Sequence, residues 1–256
     1  MTDQLHGLRV LNTRPKHQAQ VFTKAVTEAG GISIECPALE IRGLKDTWLK
    51  KLPELSSVDY AVFISANAVH HCFKQLEKNS IQWPSTIKVI AIGQSTATAL
   101  KKHQILSNEI PEFPNSEYLL ALESMQELNK QTVLLFKGEG GRLVIEEGLL
   151  MRGAQLIPLL VYKRVLPAVN AQLIKSIWQD NLVDIILLTS EQSLENLFHL
   201  FGHEALSWLQ GKPFLVISDR LAKAASLYGI QDIVISHPQR MINTLSDYSQ
   251  GLLHGH

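Results

Sequence analysis

The chain has 256 residues, 45% hydrophobic and 19% charged, a composition typical of a soluble globular protein with one large domain or two of ordinary size. Basic and acidic residues each number 24, so no overall charge favours a nucleic acid or an anionic membrane as partner. Two cysteines are too few for a disulfide framework and form no zinc motif, which favours a reducing, cytoplasmic setting. No apolar run approaches the roughly 20 residues that a membrane span requires.

Short apolar runs alternate along the chain with longer amphipathic stretches. In the first half, the pattern predicts strands at 9–13, 32–42, 59–65 and 87–93, and helices at 18–30, 66–79 and 95–104. In the second half it predicts strands at 132–138, 155–165, 183–190, 214–218 and 232–236, and helices at 143–152, 170–179, 193–201 and 221–229. Near-continuous apolar strands separated by helices indicate an α/β fold with parallel sheets covered on both faces.

The order of elements in the first half returns in the second. Ser65 stands 28 positions before Gly93, and Ser190 stands 28 positions before Ser218. An aspartate precedes each of the two earlier serines by six positions. Any two βαβ segments resemble one another to some degree, but these matched spacings favour two halves derived from one unit.

Small hydroxyl or glycine residues end the predicted strands. Ligands of open parallel sheets bind beyond the carboxyl ends of the strands, where helix N-termini suit an anion. Capping alone would explain each residue taken singly, with Ser65 or Asn67 and Ser95 or Thr96 as candidate N-caps. Matching clusters in both halves favour a two-sided anion-binding cleft. The residues concerned are Thr13, Ser65, Gly93, Ser95, Thr96, Gly138, Thr189, Ser190 and Ser218.

The motif KGEGGR at 137–142 follows a strand and opens a helix. Its glycines allow a ligand to approach the backbone closely, and Lys137 and Arg142 add positive charge. It matches neither GxGxxG nor the P-loop, so it favours a carboxylate or phosphate cradle over a nucleotide site, with a plain tight turn as the alternative. Arg14, just past the first strand, can hold an anion bidentately or be a solvated surface charge.

Tyr162 lies in the strand-like segment PLLVYKRVLP, between Pro158 and Pro167. A phenol beside Lys163 and Arg164 can donate a proton or a hydrogen bond, and a half-buried strand tyrosine is the alternative. The histidines show no convincing metal-ligand spacing and are interpreted as structural or surface residues. The sequence contains no GxSxG elbow and no convincing Ser/His/Asp set.

The chain contains, in this order, the motifs NTRP, FISANAV, AIGQSTATAL, KGEGGR and VYKR. The same order is found in uroporphyrinogen-III synthases of tetrapyrrole biosynthesis, and the chain resembles that family over about residues 8–236. The resemblance implies two flavodoxin-like parallel-sheet domains with an internal repeat, joined by a two-stranded β linker. The implied boundaries are 1–37 with 167–256 for domain 1, 42–160 for domain 2, and 38–41 with 161–166 for the linker strands. Each half would give its first βα unit to the sheet of the other half.

The resemblance also implies a reaction. It is the cyclisation of hydroxymethylbilane to uroporphyrinogen III, with inversion of ring D and loss of water, on the route to haem and sirohaem. It implies no cofactor and no metal, because the pyrrole nitrogens supply the electrons. The implied protein is a cytoplasmic monomer that binds this small molecule and transiently contacts hydroxymethylbilane synthase, with no nucleic-acid or membrane partner.

Carried over onto this sequence, the resemblance implies that Tyr162 protonates the departing hydroxyl. One departure from the family is the loop at 218–222, where many members carry glycine and threonines. This chain has Arg220 there, whose charge could replace the contacts of those residues. The substrate-binding positions predicted from motifs and resemblance together are Thr13, Arg14, Ser65, Ala66, Asn67, Gly93, Ser95, Thr96, Lys137, Gly138, Gly141, Arg142, Ser190, Ser218 and Arg220.

Two other interpretations follow from the strand-end loops alone. One is a non-catalytic two-domain binder of small polyanions, which would need no Tyr162. The other is a nucleotide-sugar transferase with two α/β domains, for which the sequence shows no convincing diphosphate or base contacts.

Overall fold

A computed structural model describes residues 3–254, apart from the side chains of residues 17 and 252–254. The chain forms two compact units, and unit 2 is Ile41–Arg164. Unit 1 comprises the described residues up to Glu40 and from Val165 onward. The predicted linker segments 38–41 and 161–166 span the two crossings between the units, and their role as a linker stays a prediction.

The described residues form ten strands and ten α-helices. The strands are β1 (Arg9–Asn12), β2 (Ile32–Glu35), β3 (Glu40–Gly43), β4 (Tyr60–Phe63), β5 (Lys88–Ala91), β6 (Thr132–Gly138), β7 (Gln155–Val165), β8 (Ile185–Leu188), β9 (Phe214–Val216) and β10 (Ile233–Ile235). The helices are α1 (Lys16–Glu28), α2 (Ala66–Lys78), α3 (Gln94–Lys102), α4 (Ser116–Ala121), α5 (Val144–Met151), α6 (Ala171–Gln179), α7 (Glu191–Phe201), α8 (Leu206–Gln210), α9 (Asp219–Leu227) and α10 (Met241–His254).

Each unit contains one five-stranded sheet. The sheet of unit 1 runs β10-β9-β8-β1-β2 with parallel pairing, and from β2 its strands follow the chain order 2-1-3-4-5 of a flavodoxin-like sheet. The sheet of unit 2 runs β3-β7-β6-β4-β5, and its pairs from β7 to β5 are parallel. Beyond β5, an isolated parallel bridge joins Ile90 to Glu109, at the position that β10 holds in unit 1. The predicted fold class of two flavodoxin-like parallel-sheet units is therefore confirmed.

The central strands are apolar along their whole length because both faces of each sheet are covered. In unit 2, Phe63 and Phe136 stack on one face with ring centroids 4.5 Å apart, while Val62 and Leu135 join an apolar cluster on the other face. The central strand β8 of unit 1 is likewise fully buried. Among residues 3–254, no helix combines the length and the hydropathy that crossing a bilayer requires.

The internal repeat is visible in the hydrogen bonds that start the central strands. The carboxylate of Asp59 accepts a bond from the Thr132 amide at 2.8 Å, and that of Asp184 accepts one from the Arg9 amide at 2.9 Å. Strands β4 and β5 therefore correspond to β8 and β9, and β6 and β7 correspond to β1 and β2. Each half of the chain gives its first strand pair to the sheet completed by the other half.

Several elements are absent from the sequence prediction. Helix α10 is rich in Asn, Ser, Asp and Gly, which favour helices weakly, and it is held by tertiary burial of Met241 and Leu245. The segment 32–42, predicted as extended, breaks into β2 and β3. The other unpredicted elements are short: α4, α8 and the 3₁₀ helices Asp46–Lys51, Leu55–Ser57, Glu123–Met125 and His203–Ala205.

The contact between Arg9 and Asp184 predicts a pH-dependent contribution to the stability of unit 1. Burial alone would raise the pKa of Asp184, but hydrogen bonds from the side chain and backbone of Arg9 outweigh it and lower that pKa. We expect Asp184→Asn to reduce the free energy of unfolding by about 1 kcal/mol at pH 7, since the pair is partly exposed. Because the folded-state pKa is depressed, this contribution is complete above the unfolded-state pKa of about 4 and is lost as pH falls through the folded-state value.

Urea unfolding of wild type and variant between pH 7 and pH 3 measures this effect. The difference in free energy should shrink toward acid pH. The control is Asp247→Asn on the exposed face of α10, which should stay within about 0.5 kcal/mol of wild type at every pH. A gap that is the same at pH 7 and pH 3 would contradict the assignment.

Candidate active site

Tyr162 lies near the carboxyl end of β7, beside the carboxyl end of β6. Its side chain is 2% exposed, and its hydroxyl oxygen lies 3.1 Å from the hydroxyl oxygen of Ser65, which follows β4. The sequence pointed to these two residues through separate motifs. The fold of unit 2 brings them into contact.

Gly138, the last residue of β6, lets the tyrosine ring approach the backbone. A Cβ placed on Gly138 would lie 2.6 Å from Cζ of Tyr162 and 3.0 Å from its hydroxyl oxygen, which is closer than real atoms pack. The pairing of β6 with β7 shifts register between Lys137 and Gly138, and this shift sets Tyr162 opposite Gly138. The glycine is therefore required by close packing of the ring.

Ser65 is the N-cap of α2. Its backbone is extended at φ −168°, and its Oγ accepts a hydrogen bond from the Ala68 amide at 3.0 Å. Of the two predicted caps, Ser65 is therefore the right one and Asn67 is wrong. The first amides of the helix, those of Ala66 and Asn67, have no acceptor within it, so they present a partial positive charge at the strand end.

Two basic side chains flank the tyrosine ring. The imidazole of His71, on α2, stacks on the Tyr162 ring with centroids 5.9 Å apart, and the guanidinium carbon of Arg164 lies 5.8 Å from the ring centroid. Gly43 leaves room for the imidazole, because a Cβ there would lie 2.7 Å from Nδ1 of His71. From its spacing alone, His71 is interpreted as a structural or surface residue, because its contact joins a helix to a strand distant along the chain.

The loop after β5 is shaped by packing of Pro114 on Gly93. Gly93 is the N-cap of α3, and a Cβ there would lie 2.7 Å from Cβ of Pro114. The predicted caps Ser95 and Thr96 are wrong, because both lie inside the first turn of the helix. Ser95 is exposed, whereas Thr96 is 1% exposed.

The two cations of the glycine-rich loop already have carboxylate partners. Lys137 is 5% exposed and forms an ion pair with Glu146 of α5. Arg142 is exposed, donates to Glu117 at 2.9 Å and contacts the hydroxyl of Ser116. An anion arriving at this loop would therefore compete with two internal carboxylates.

The same loop borders a pocket of about 280 Å³ within unit 2. Gly140 and Gly141 adopt φ values of +76° and +88°, a region that other residues rarely enter, so the tight turn requires glycine. The pocket is also lined by Lys51, an exposed cation on a 3₁₀ helix that the sequence did not predict. Spacing in the sequence could not have associated Lys51 with this loop.

In unit 1, Thr13 and Arg14 follow β1 but have different surroundings. Thr13 is fully buried, and its hydroxyl donates to the carbonyl of Leu187, tying the end of β1 to β8. Arg14 is half-buried, and within the described residues its buried Nε has no hydrogen-bond partner. Burial lowers the pKa of this guanidinium. Arg14 is thus a partly desolvated cation whose buried Nε is unsatisfied among the described residues.

The serines predicted in unit 1 are helix caps. Ser190 caps α7 and accepts from the Ser193 amide at 3.1 Å, and Ser218 caps α9. Arg220 is highly exposed, and its Nε lies 3.0 Å from a carboxylate oxygen of Glu191 on α7. The charge of Arg220 is therefore partly satisfied at the surface.

Neither a metal cluster nor a reactive thiol is found in the described part of the chain. No three His, Cys, Asp or Glu side chains among residues 3–254 gather closely enough to hold a metal ion. Both cysteines are buried, and burial raises the pKa of Cys36 to about 12 and that of Cys72 well above its usual value. Such thiols stay protonated and are poor nucleophiles at neutral pH.

A family model described as "Uroporphyrinogen-III synthase HemD" matches residues 20–243. The chain belongs to the uroporphyrinogen-III synthase family. A relative of that name from Proteus mirabilis is 35% identical over 161 residues, which is 62% of this chain and 81% of the relative. The uroporphyrinogen-III synthase of Escherichia coli is 29% identical over 236 residues, 90% of this chain and 95% of the relative.

Solved structures of uroporphyrinogen III synthases share the fold. A mutant of the Thermus thermophilus protein matches with a TM-score of 0.64 at 15% identity, over 96% of this chain and 99% of that one. The Helicobacter pylori protein matches with a TM-score of 0.61 at 17% identity, again over 96% and 99%. The family resemblance predicted from five short motifs is thus confirmed.

The packing of Tyr162 on Gly138 predicts that this glycine cannot be replaced. In Gly138→Ala, the added methyl group must displace the ring and with it the hydroxyl, so we expect turnover to fall at least tenfold and stability to fall by about 1–3 kcal/mol. Steady-state kinetics and urea unfolding measure the two effects. The control is Gly251→Ala in α10, where a Cβ meets no atom within 4 Å and turnover should not change. Wild-type turnover in Gly138→Ala would show that the ring position is unimportant.

Proposed function

We propose that this chain cyclises hydroxymethylbilane to uroporphyrinogen III, with inversion of ring D and release of water. The proposal rests on one observation above the others. In a chain of this family, a buried tyrosine near the end of β7 contacts Ser65, the residue that caps α2. A proton donor and a helix N-terminus that suits anions therefore lie at one edge of one sheet.

The proposed substrate carries carboxylate arms on every pyrrole, and the strand ends of both units offer groups that suit anions. In unit 2 these are the first amides of α2 at Ala66 and Asn67, and the exposed Ser95 at the start of α3. In unit 1 the half-buried Arg14 is the strongest candidate. The remaining proposed contacts are Thr13, Ser65, Gly93, Thr96, Lys137, Gly138, Gly141, Arg142, Ser190, Ser218 and Arg220.

The surroundings of these residues suggest that they contribute unequally to binding the substrate. The hydroxyl of Thr13 is occupied by Leu187. Lys137 and Arg142 are paired with Glu146 and Glu117, so their positive charge is largely offset before a ligand arrives. We therefore propose that backbone amides and Arg14 supply most of the attraction, while Thr13, Gly93 and Gly138 shape the loops.

Tyr162 is the proposed proton donor to the departing hydroxyl. As its proton moves to that oxygen, the carbon–oxygen bond on ring A breaks, water leaves and the pyrrole nitrogen supplies the electron pair. The substituted carbon of ring D attacks the resulting azafulvene to give a spiro-pyrrolenine, which fragments and recloses with ring D inverted. The reaction as proposed uses no metal or cofactor, because the electrons come from the substrate.

The groups around Tyr162 suit this role. Negative charge develops on the phenol oxygen as the proton leaves, and the N-terminus of α2 stabilises negative charge there. The guanidinium of Arg164, 5.8 Å from the ring centroid, adds positive charge beside the ring. The ring is buried, so the position of the hydroxyl oxygen is fixed and the side chain has little freedom to lose when substrate binds. A monomeric state, a cytoplasmic location and a transient contact with hydroxymethylbilane synthase remain predictions from the family resemblance.

The direct test supplies purified protein with hydroxymethylbilane made in place by hydroxymethylbilane synthase, and separates the product isomers. Wild type should give uroporphyrinogen III, whereas the spontaneous reaction gives isomer I. Tyr162→Phe keeps the ring and removes the proton donor, so we expect kcat to fall about 10–100-fold with an unchanged unfolding curve. Isomer I alone from wild type would refute the function, and full turnover by Tyr162→Phe would refute the role of the phenol.

Arg14 gives an independent test of anion binding. We expect Arg14→Met to raise KM about tenfold and to leave kcat within about twofold, because a charge-assisted contact to the substrate is lost. Stability should not fall, since the variant removes a desolvated cation and keeps the apolar stem. The control is Lys24→Met, which removes an exposed cation of α1 paired with Glu28. A loss of stability with unchanged KM would assign Arg14 to the fold instead.

A further inference from the structure

The hydroxyl of Ser65 makes two contacts whose directions can be derived. Its oxygen accepts the Ala68 amide at 3.0 Å, so one lone pair is used by the helix cap. Its other polar contact within residues 3–254 is the Tyr162 oxygen at 3.1 Å, where either hydroxyl could be the donor. If Tyr162 donated to Ser65, its proton would point at the cap and not at a substrate.

The position of Ser65 favours the opposite direction. An oxygen that already accepts an amide hydrogen bond becomes a better donor through its own hydroxyl, because hydrogen bonds in a chain polarise one another. The N-terminus of α2 also attracts negative charge toward Ser65 and the phenol oxygen. With Ser65 donating, the hydrogen of Tyr162 is turned away from the cap and is free to be transferred.

We propose that Ser65 is a positioning residue that donates its hydroxyl hydrogen to the phenol oxygen of Tyr162, and that its side chain acts through Tyr162 and not on the substrate. The proposal rests on the proposed function, and it replaces the direct substrate contact proposed above for the Ser65 side chain with a contact to Tyr162. The donated bond directs the tyrosine proton outward before transfer. Afterward it becomes a charge-assisted bond to the phenolate, stronger than the bond to the neutral phenol.

The corresponding serine of unit 1 shows that the cap itself does not need this contact. Ser190 has a similar extended backbone, φ −160° against −168° for Ser65, and accepts an amide hydrogen in the same way. Its hydroxyl lies 2.8 Å from the hydroxyl of Ser193, the residue whose amide it caps. The tyrosine contact is thus an addition in unit 2 to a cap that both units share.

A double-mutant cycle on kcat and KM tests the proposal, using Ser65→Gly, Tyr162→Phe and the combined variant. Glycine is a good N-cap, so the helix loses only a few tenths of a kcal/mol while the hydroxyl is removed. We expect Ser65→Gly to lower kcat about tenfold with KM within about twofold, as for loss of one charge-assisted hydrogen bond. In the Tyr162→Phe background the same change should lower kcat less than about twofold.

Rescue and folding controls accompany the cycle. Ser65→Thr keeps a hydroxyl and should retain at least half of the wild-type kcat. Asn170→Gly removes a side-chain cap from α6, outside the site, and should change stability slightly and turnover not at all. Urea unfolding of every variant separates a local effect on turnover from a loss of fold.

The possible outcomes separate this inference from the function on which it rests. A tenfold loss of kcat from Ser65→Gly in both backgrounds, or a rise in KM without a fall in kcat, would mean that Ser65 acts on the substrate directly and would overturn the proposal. Wild-type turnover by Tyr162→Phe would remove the role of Tyr162 and this inference with it. Failure of wild type to form isomer III would refute the function itself.

Discussion

The packing of the Tyr162 ring on the backbone of Gly138 is the contact on which the rest of the candidate site depends. A side chain on Gly138 would occupy the space of the ring, and the register shift in β6 and β7 sets the two residues opposite each other. With the ring buried, its hydroxyl oxygen lies beside the neighbouring strand end. Strand β4 pairs with β6 and ends just before Ser65, so Ser65 lies beside the phenol hydroxyl. The sheet order therefore fixes the position of the phenol through rigid elements, which hold a reactive group more accurately than loops do.

The two units use the same scaffold with different electrostatics. In the internal repeat, Arg14 corresponds to Lys137. Arg14 follows β1, and Lys137 lies near the end of β6. Lys137 is neutralised by Glu146, and that buried pair suits a structural role. Arg14 is desolvated, and its Nε has no partner in the described part of the chain. The corresponding strand ends of the repeat thus differ: unit 1 has a half-buried arginine, and unit 2 has a tyrosine that contacts the N-cap of α2.

Much of the fold could be predicted from the sequence because its signals are local. Apolar runs such as the one in β4 mark buried strands, and the matched 28-residue spacings reveal the repeat. For the same reason, the cap of α2 could be narrowed to Ser65 or Asn67. The cap at Gly93 could not, because Gly93 makes no side-chain cap hydrogen bond, and the need for glycine there comes from packing against Pro114 in a later loop. The stacking of His71 on Tyr162 and the pairing of Lys137 with Glu146 likewise need the three-dimensional structure, since only the fold sets the distance between these side chains.

The exchange of strand pairs between the halves also imposes an order on folding as the chain leaves the ribosome. Unit 2 is continuous in sequence, from Ile41 to Arg164, so all of its strands are available before β8 has been made. Strand β1 lies between β2 and β8 in the sheet of unit 1, so it must wait with one edge unpaired until the second half of the chain emerges. An unpaired strand edge of this kind can pair with a wrong strand or with another chain. The N-terminal segment is therefore exposed to misassembly for longer than any other part of the sheet, and closure of unit 2 removes its nearest competing partners.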